Sequence, residues 1–182
     1  MFTKLINYTL RLTILCVIAA FGLAVVYGKT EPMIEAQAKK IEDLARREVL
    51  PAADRFEEVS EDYSVAFDKD GRPAGKIVKA GQQGYGGQIK IIAGIDNENR
   101  VVGVKILEHF ETPGLGDGVA KETFTRQFNR KAASELILKK DGVGIDAITG
   151  ATISSRACVE AVKKGLDSIK QYEQSGETKV NK

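Results

Sequence analysis

The stretch Asp146-Ala147-Ile148-Thr149-Gly150-Ala151-Thr152-Ile153-Ser154-Ser155 is made largely of small residues and hydroxyls. A helical pattern starts directly behind it. Cys158, Val162, Leu166 and Ile169 recur at three to four residues, the spacing of one buried helix face. Thr149, Gly150, Ala151 and Thr152 are therefore expected at a helix N-terminus. Unpaired backbone N–H groups and the positive end of the helix dipole favour a phosphate at such a place. Gly150 and Ala151 lack bulk, so a ligand has room to approach the backbone. The same pattern fits a plain N-cap, because Ser and Thr precede many helices that bind nothing. The residues by themselves leave both readings open.

Two glycine-rich loops lie upstream. Tyr85 stands among Gly84, Gly86 and Gly87, which permit positive φ and close approach of another group. A glycine-rich connection between strands explains them equally well. In the segment 109–117, Pro113 fixes φ and removes a donor, while Gly114 and Gly116 bend the chain around Leu115. Such a loop can offer backbone N–H groups and one apolar side chain to a flat ring. His109 and Glu111 are its titratable side chains, and their roles stay open between a structural hydrogen bond and proton transfer.

Further out, residues 12–27 form an apolar run broken only by Thr13 and Gly22. The run is short for a hydrocarbon core of about 30 Å, but long enough when extended back through Leu5, Ile6, Tyr8 and Leu10. Arg11 and Lys4 would then snorkel to the headgroups. A cleaved signal peptide is the competing reading, but no small-x-small site follows the apolar core. Residues 31–49 read as an amphipathic helix with Pro32 in its first turn and Ile34, Ala38, Ile41, Ala45 and Val49 on one face. Pro51 ends it.

Strands are expected at 63–67, 76–80, 88–95, 100–107 and, shorter, 135–140. Short turns such as Asp70-Gly71 and Asp96-Asn97-Glu98-Asn99 imply antiparallel pairing. Helices are expected at 119–128, with Phe124 and Phe128 on one face, and at 159–172. The class is α+β: an N-terminal transmembrane helix, then one domain with a largely antiparallel sheet and packed helices. The division expected is 1–28 for the cytoplasmic tip and span, 29–52 for the connecting helix, 53–173 for the domain and 174–182 for a polar tail.

Composition narrows the function. The net charge is +2, so no nucleic-acid partner is implied. Cys16 and Cys158 lie in different settings and form no metal-ligand cluster, and the single His109 gives neither a zinc site nor a nucleophile–base pair. No metal and no catalytic residue is expected.

Asp146-x-x-Thr149-Gly150-Ala151-Thr152, together with Gly84-Tyr85-Gly86-Gly87 and Glu111-Thr112-Pro113-Gly114-Leu115-Gly116, resembles the FMN-binding domain family. With the N-terminal anchor and the length, the chain looks like the G subunits of Rnf complexes. It is also similar to the longer C subunits of sodium-translocating NADH:quinone reductases. The resemblance implies FMN attached through its phosphate to Thr152 by a dedicated flavin transferase. It implies cofactor contacts from Thr149, Gly150, Ala151, Thr112, Gly114, Leu115 and Tyr85. It makes Asp146 part of the sequence that the transferase reads, with a capping role in the turn as the alternative. It implies an electron-transfer subunit with other integral-membrane and iron–sulfur subunits as partners, coupling electron flow between ferredoxin and NAD to sodium or proton movement. The domain would lie outside the cytoplasm on a single span in the cell membrane, although the Lys/Arg count around the span points the other way. The competing assignments are the matching quinone-reductase subunit and an anchored, non-redox subunit that binds a phosphate ligand.

Overall fold

The computed structural model describes residues 2–175, with side chains described from Ile6 to Tyr172. The tail expected at 174–182 lies outside the described residues beyond Ser175. The chain divides into two compact units, residues 1–41 and 42–182.

The first unit consists of helix. Helix α1 runs Phe2–Val49 without a break, so the span and connecting helix expected as separate segments are one helix. Pro32 sits inside it: its ring is tolerated within a long helix, at the loss of one backbone hydrogen bond. Among the described residues, α1 is the one helix long and apolar enough to cross a membrane. Its apolar side chains from Ile6 to Tyr27 are exposed to the surroundings.

The second unit is a five-stranded antiparallel sheet in the order β1-β2-β3-β4-β5, with β1 at Arg55–Ser60, β2 at Tyr63–Phe67, β3 at Pro73–Gln83, β4 at Gln88–Ile95 and β5 at Val101–Glu108. Strands β2 to β5 follow the expected pattern, β3 being longer and β5 displaced by one residue. Strand β1 escaped the sequence reading. It is an edge strand, and Arg55, Glu57 and Glu58 give it the charged surface with which edges avoid pairing with other chains.

The strand expected at 135–140 is not one. Leu136 and Leu138 are buried, which produced the alternation, but the segment turns in 3-10 geometry at Ala133–Glu135 and Lys139–Asp141. Only an isolated parallel bridge forms, Leu138 with Ile145. A Cβ on Gly144 would lie 1.9 Å from the Ile137 carbonyl oxygen, so the chain folds back on itself too tightly for a ladder. The helix expected at 119–128 is likewise broken into a 3-10 turn at Gly116–Ala120, the short α2 at Glu122–Thr125 and a further turn at Arg126–Phe128. Phe124 and Phe128 still pack edge to face at 5.6 Å.

Helix α3, Thr152–Ser175, lies on one face of the sheet. Its stripe Cys158, Val162, Leu166 and Ile169 is buried against Val78, Ile89, Ile91 and other core residues, each large side chain contributing roughly 1.5–3 kcal/mol. The end of α3 is tied down as well: Tyr172 stacks on Tyr63 at 4.8 Å and its hydroxyl accepts from Ser60. The opposite face carries Ala45, Val49 and Leu50 on Ala66, Ile77 and Ile92. A Cβ on Gly94 would meet the Val49 carbonyl oxygen at 2.3 Å, so glycine is what lets this backbone settle on the sheet. Of the apolar stripe expected along 31–49, only its last members, Ala45 and Val49, are buried; Ile34 and Ile41 are exposed. Beside them the buried Arg46 guanidinium bonds Glu42 at 2.6 Å and Glu58 at 2.9 Å.

Candidate functional site

Helix α3 begins at Thr152, and the Ser155 N–H bonds the Ala151 carbonyl at 3.0 Å. Ala151 therefore occupies the capping position, and its methyl group can accept nothing. The plain N-cap reading fails on this point. Thr149 is exposed in the approach turn, where the Ala151 N–H bonds the Ile148 carbonyl at 2.9 Å. The hydroxyls of Ser154 and Ser155 point elsewhere. Ser155 donates to the Ala151 carbonyl and accepts from the Ile148 N–H at 3.0 Å, which folds the approach strand onto the helix. The first-turn N–H groups of α3 are left to an outside acceptor. Gly150 takes φ +79°, a conformation that favours glycine, and opens the space before Thr152.

Glu111 joins this helix end to both loops. It is 5 % exposed, and its Oε1 accepts the N–H of Tyr85 at 2.9 Å and of Gly86 at 3.3 Å. Its Oε2 accepts the Ser154 hydroxyl at 2.7 Å. The glycines around it make the room. A Cβ on Gly84 would lie 2.1 Å from Oε1, and one on Gly116 would lie 2.5 Å from Oε2. Gly86 and Gly87 similarly admit Phe110. The loop 84–87 is the tip of the β3–β4 hairpin, closed by the Gly84 N–H on the Gly87 carbonyl at 2.8 Å. These glycines serve close approach and none takes positive φ; in the second loop only Gly114 does, at +79°. His109 accepts the Glu111 N–H at 3.4 Å, a structural contact.

The structure thus brings Tyr85, Leu115, Gly150, Ala151 and Thr152 around one junction. Leu115 reaches within 3.9 Å of a Cβ position on Gly150. Tyr85, Phe110, Leu115 and Ile153 are large apolar side chains left exposed on the three segments. Thr112 is exposed, and its carbonyl accepts from the N–H groups of Leu115 and Asp117, which sets the turn. Asp117 Oδ1 is buried without a partner among the described residues, an acceptor with no donor facing it. Asp146 stands apart. Its carboxylate pairs with Lys139 at 2.5 Å and its backbone with Gln127, so it caps nothing and its charge is balanced on the surface. Arg156 pairs with Asp141 at 2.9 Å. Cys158 lies beneath, its thiol pushed up to about 12 by burial and, second, by the negative charge of Glu111.

Residues 84–167 match the FMN-binding domain family. That interval runs from the hairpin tip through most of α3 and contains all three segments. The chain is 33% identical to the G subunit of the proton-translocating ferredoxin:NAD(+) oxidoreductase complex of Clostridium ljungdahlii over 169 residues, 90% of this chain and 91% of the relative. The chain belongs to the family of G subunits of ion-translocating oxidoreductase complexes. The Methanosarcina acetivorans G subunit is 32% identical, over 89% of this chain and 93% of its own length. The C subunit of a sodium-translocating NADH–quinone reductase from Parabacteroides distasonis has the same fold, with a TM-score of 0.51 and 25% identity. That match covers 65% of this chain and 64% of the other.

FMN, which gives the matched domain family its name, has a phosphate and a flat ring, and the residues of the matched interval fit both. The α3 N-terminus lacks a side-chain cap, glycine opens its approach, and exposed Tyr85, Leu115 and Ile153 offer apolar surface beside it. Sequence reasoning left Glu111 undecided and gave Ser154 no partner. Their contact joins residues 43 positions apart, and the only local hint is the pairing of an acid with glycines in both loops.

Proposed function

We propose that this chain is the membrane-anchored electron-carrier subunit of an Rnf-type complex, with FMN bound by a phosphoester to the Thr152 hydroxyl. The observation that carries the reading is the α3 N-terminus. Thr152 is its first residue, Ala151 holds the cap position, and among the described residues no side chain satisfies the first-turn N–H groups. When bound, FMN supplies reversible electron acceptance and release. The protein's part is to hold and orient it. Thr152 would anchor the phosphate, the N–H groups of the first turn would donate to its oxygens, and Gly150 and Ala151 keep the approach clear. The dipole favours that charge by roughly 0.3–1 kcal/mol at an exposed site, enough to orient a phosphate and too little to replace a covalent bond. Thr112, Gly114 and Leu115 present the second loop to the ring, and Tyr85 presents the first. Asp146, displayed on the surface, belongs to the sequence that a flavin transferase reads. The isolated chain has no substrate site of its own; it acts as a subunit of an ion-translocating oxidoreductase.

The complex would couple electron transfer between ferredoxin and NAD to translocation of sodium or protons, with integral-membrane and iron–sulfur subunits as neighbours. The Clostridium relative's description and the coverage of more than nine tenths of its length support this over the quinone-reductase assignment. The apolar first half of α1 supports a single span in the membrane lipid, at residues 1–28. The orientation, with the FMN domain at 53–173 outside the cytoplasm, rests on the family resemblance alone. Two experiments test the reading. The intact mass of the natively expressed chain should show one FMN attached; an unmodified mass contradicts it. A reporter active only outside the cytoplasm, fused after Lys182, should be active; activity of a cytoplasm-only reporter there contradicts the orientation.

A further inference from the structure

We propose that Glu111 is the positioning residue of the flavin site, clamping both loops to the first turn of α3 while placing a buried, cation-free negative charge that lowers the flavin's reduction potential. The proposal rests on the flavin reading above and goes beyond it. Both Glu111 oxygens act as acceptors, the pattern of an ionised carboxylate. One holds the backbone that carries Tyr85; the other holds Ser154, two residues beyond Thr152. Glu111 itself opens the loop that carries Thr112, Gly114 and Leu115. One side chain thus sets the spacing of every proposed contact segment.

Its environment is apolar or uncharged. Glu111 is 5 % exposed, and among the described residues it forms no ion pair with a Lys, Arg or His. The polar groups facing it are two backbone N–H groups, the Ser154 hydroxyl and the buried Cys158 thiol, with His109 accepting from its own N–H. Gly84 and Gly116 lack side chains where a Cβ would displace its oxygens. A carboxylate that needed only to tie loops together could be replaced by a neutral amide of the same shape. A buried charge without a cation is costly, and its effect on a nearby redox group is repulsion of the negative charge that reduction adds.

Two substitutions separate the clamp from the charge. Glu111→Gln keeps the length and an oxygen for the Tyr85 and Gly86 N–H groups, and its amide can donate to Ser154, but the charge is gone. Glu111→Asp keeps the charge and loses one methylene of reach, so it cannot bond both loops and Ser154 together. Backbone amide exchange is read first in the flavin-free full chain. Exchange at Tyr85 and Gly86 should accelerate about tenfold or more in Glu111→Asp and stay close to the parent in Glu111→Gln. The reduction potential of the flavin-loaded chain should then rise in Glu111→Gln. Unchanged exchange in Glu111→Asp would overturn the clamp, and an unchanged potential in Glu111→Gln would overturn the electrostatic role. Because the exchange arm uses no flavin, a failure of the flavin reading would leave the clamp result standing.

Discussion

The Ser154 hydroxyl donates a buried 2.7 Å hydrogen bond to the Glu111 carboxylate. Ser154 therefore belongs to the interior of the site and is not a cap. Ser154→Ala strands a buried carboxylate oxygen and should cost about 1–3 kcal/mol. Thr152 remains in place, so the variant should still be flavinylated. Urea unfolding with in-gel flavin fluorescence checks both points. Loss of attachment at full stability would contradict the assignment of Ser154 to structure.

Ser155 does different work one residue on. Its hydroxyl holds the Ile148 N–H and the Ala151 carbonyl. Ser155→Ala should cost about 1 kcal/mol and leave flavinylation intact. The same two measurements apply, and a variant that folds normally but carries no flavin would move the attachment machinery to Ser155.

Gly114 has φ +79° with open space around its Cβ position, so the strain of a substitution lies in the backbone alone. Gly114→Val should distort the loop at a cost of about 1–3 kcal/mol. With Thr152 untouched, the FMN stoichiometry should stay at the parent value while the flavin spectrum or potential changes. An unaltered spectrum and potential would remove this loop from the site.

Cys158 gives a pH signature. Burial, and then the Glu111 charge, raise its thiol from the usual value of 9.0 to about 12. A folded-state pKa above the unfolded one contributes stability that is fully present below about pH 9 and is lost as the pH rises toward 12. Denaturant midpoints should therefore fall across that alkaline window in the parent and fall less steeply in Cys158→Ala, despite the cavity that alanine leaves. Equal slopes would contradict the burial of a protonated thiol.

What the sequence disclosed follows from range. The α3 stripe through Cys158, Val162, Leu166 and Ile169, and the hairpins around Asp96 to Asn99, are local patterns set by helix and strand period, and both are in the structure. Strand β1 was hidden because an edge strand with Arg55, Glu57 and Glu58 lacks apolar alternation. The false strand at 135–140 arose because Leu136 and Leu138 alternate for burial, while Gly142 and Gly144 let the backbone fold back to form a single bridge at Leu138 and Ile145. In the site, the segments were legible and their junction was not. Gly84 and Gly116 signal flexibility in a sequence, yet each is small because a carboxylate from 27 or 5 residues away (111 − 84 and 116 − 111) occupies the space. No local period records such a contact.

One substitution tests the bond to Thr152 most directly. Thr152→Val keeps the branched shape at the first residue of α3 and removes the hydroxyl oxygen. The helix buries its stripe further along, so circular dichroism should show a folded chain. The measurement is flavin fluorescence retained on a denaturing gel, in parent and variant expressed together with the flavin transferase. The account predicts a fluorescent band for the parent and none for Thr152→Val. A fluorescent band in folded Thr152→Val would contradict it.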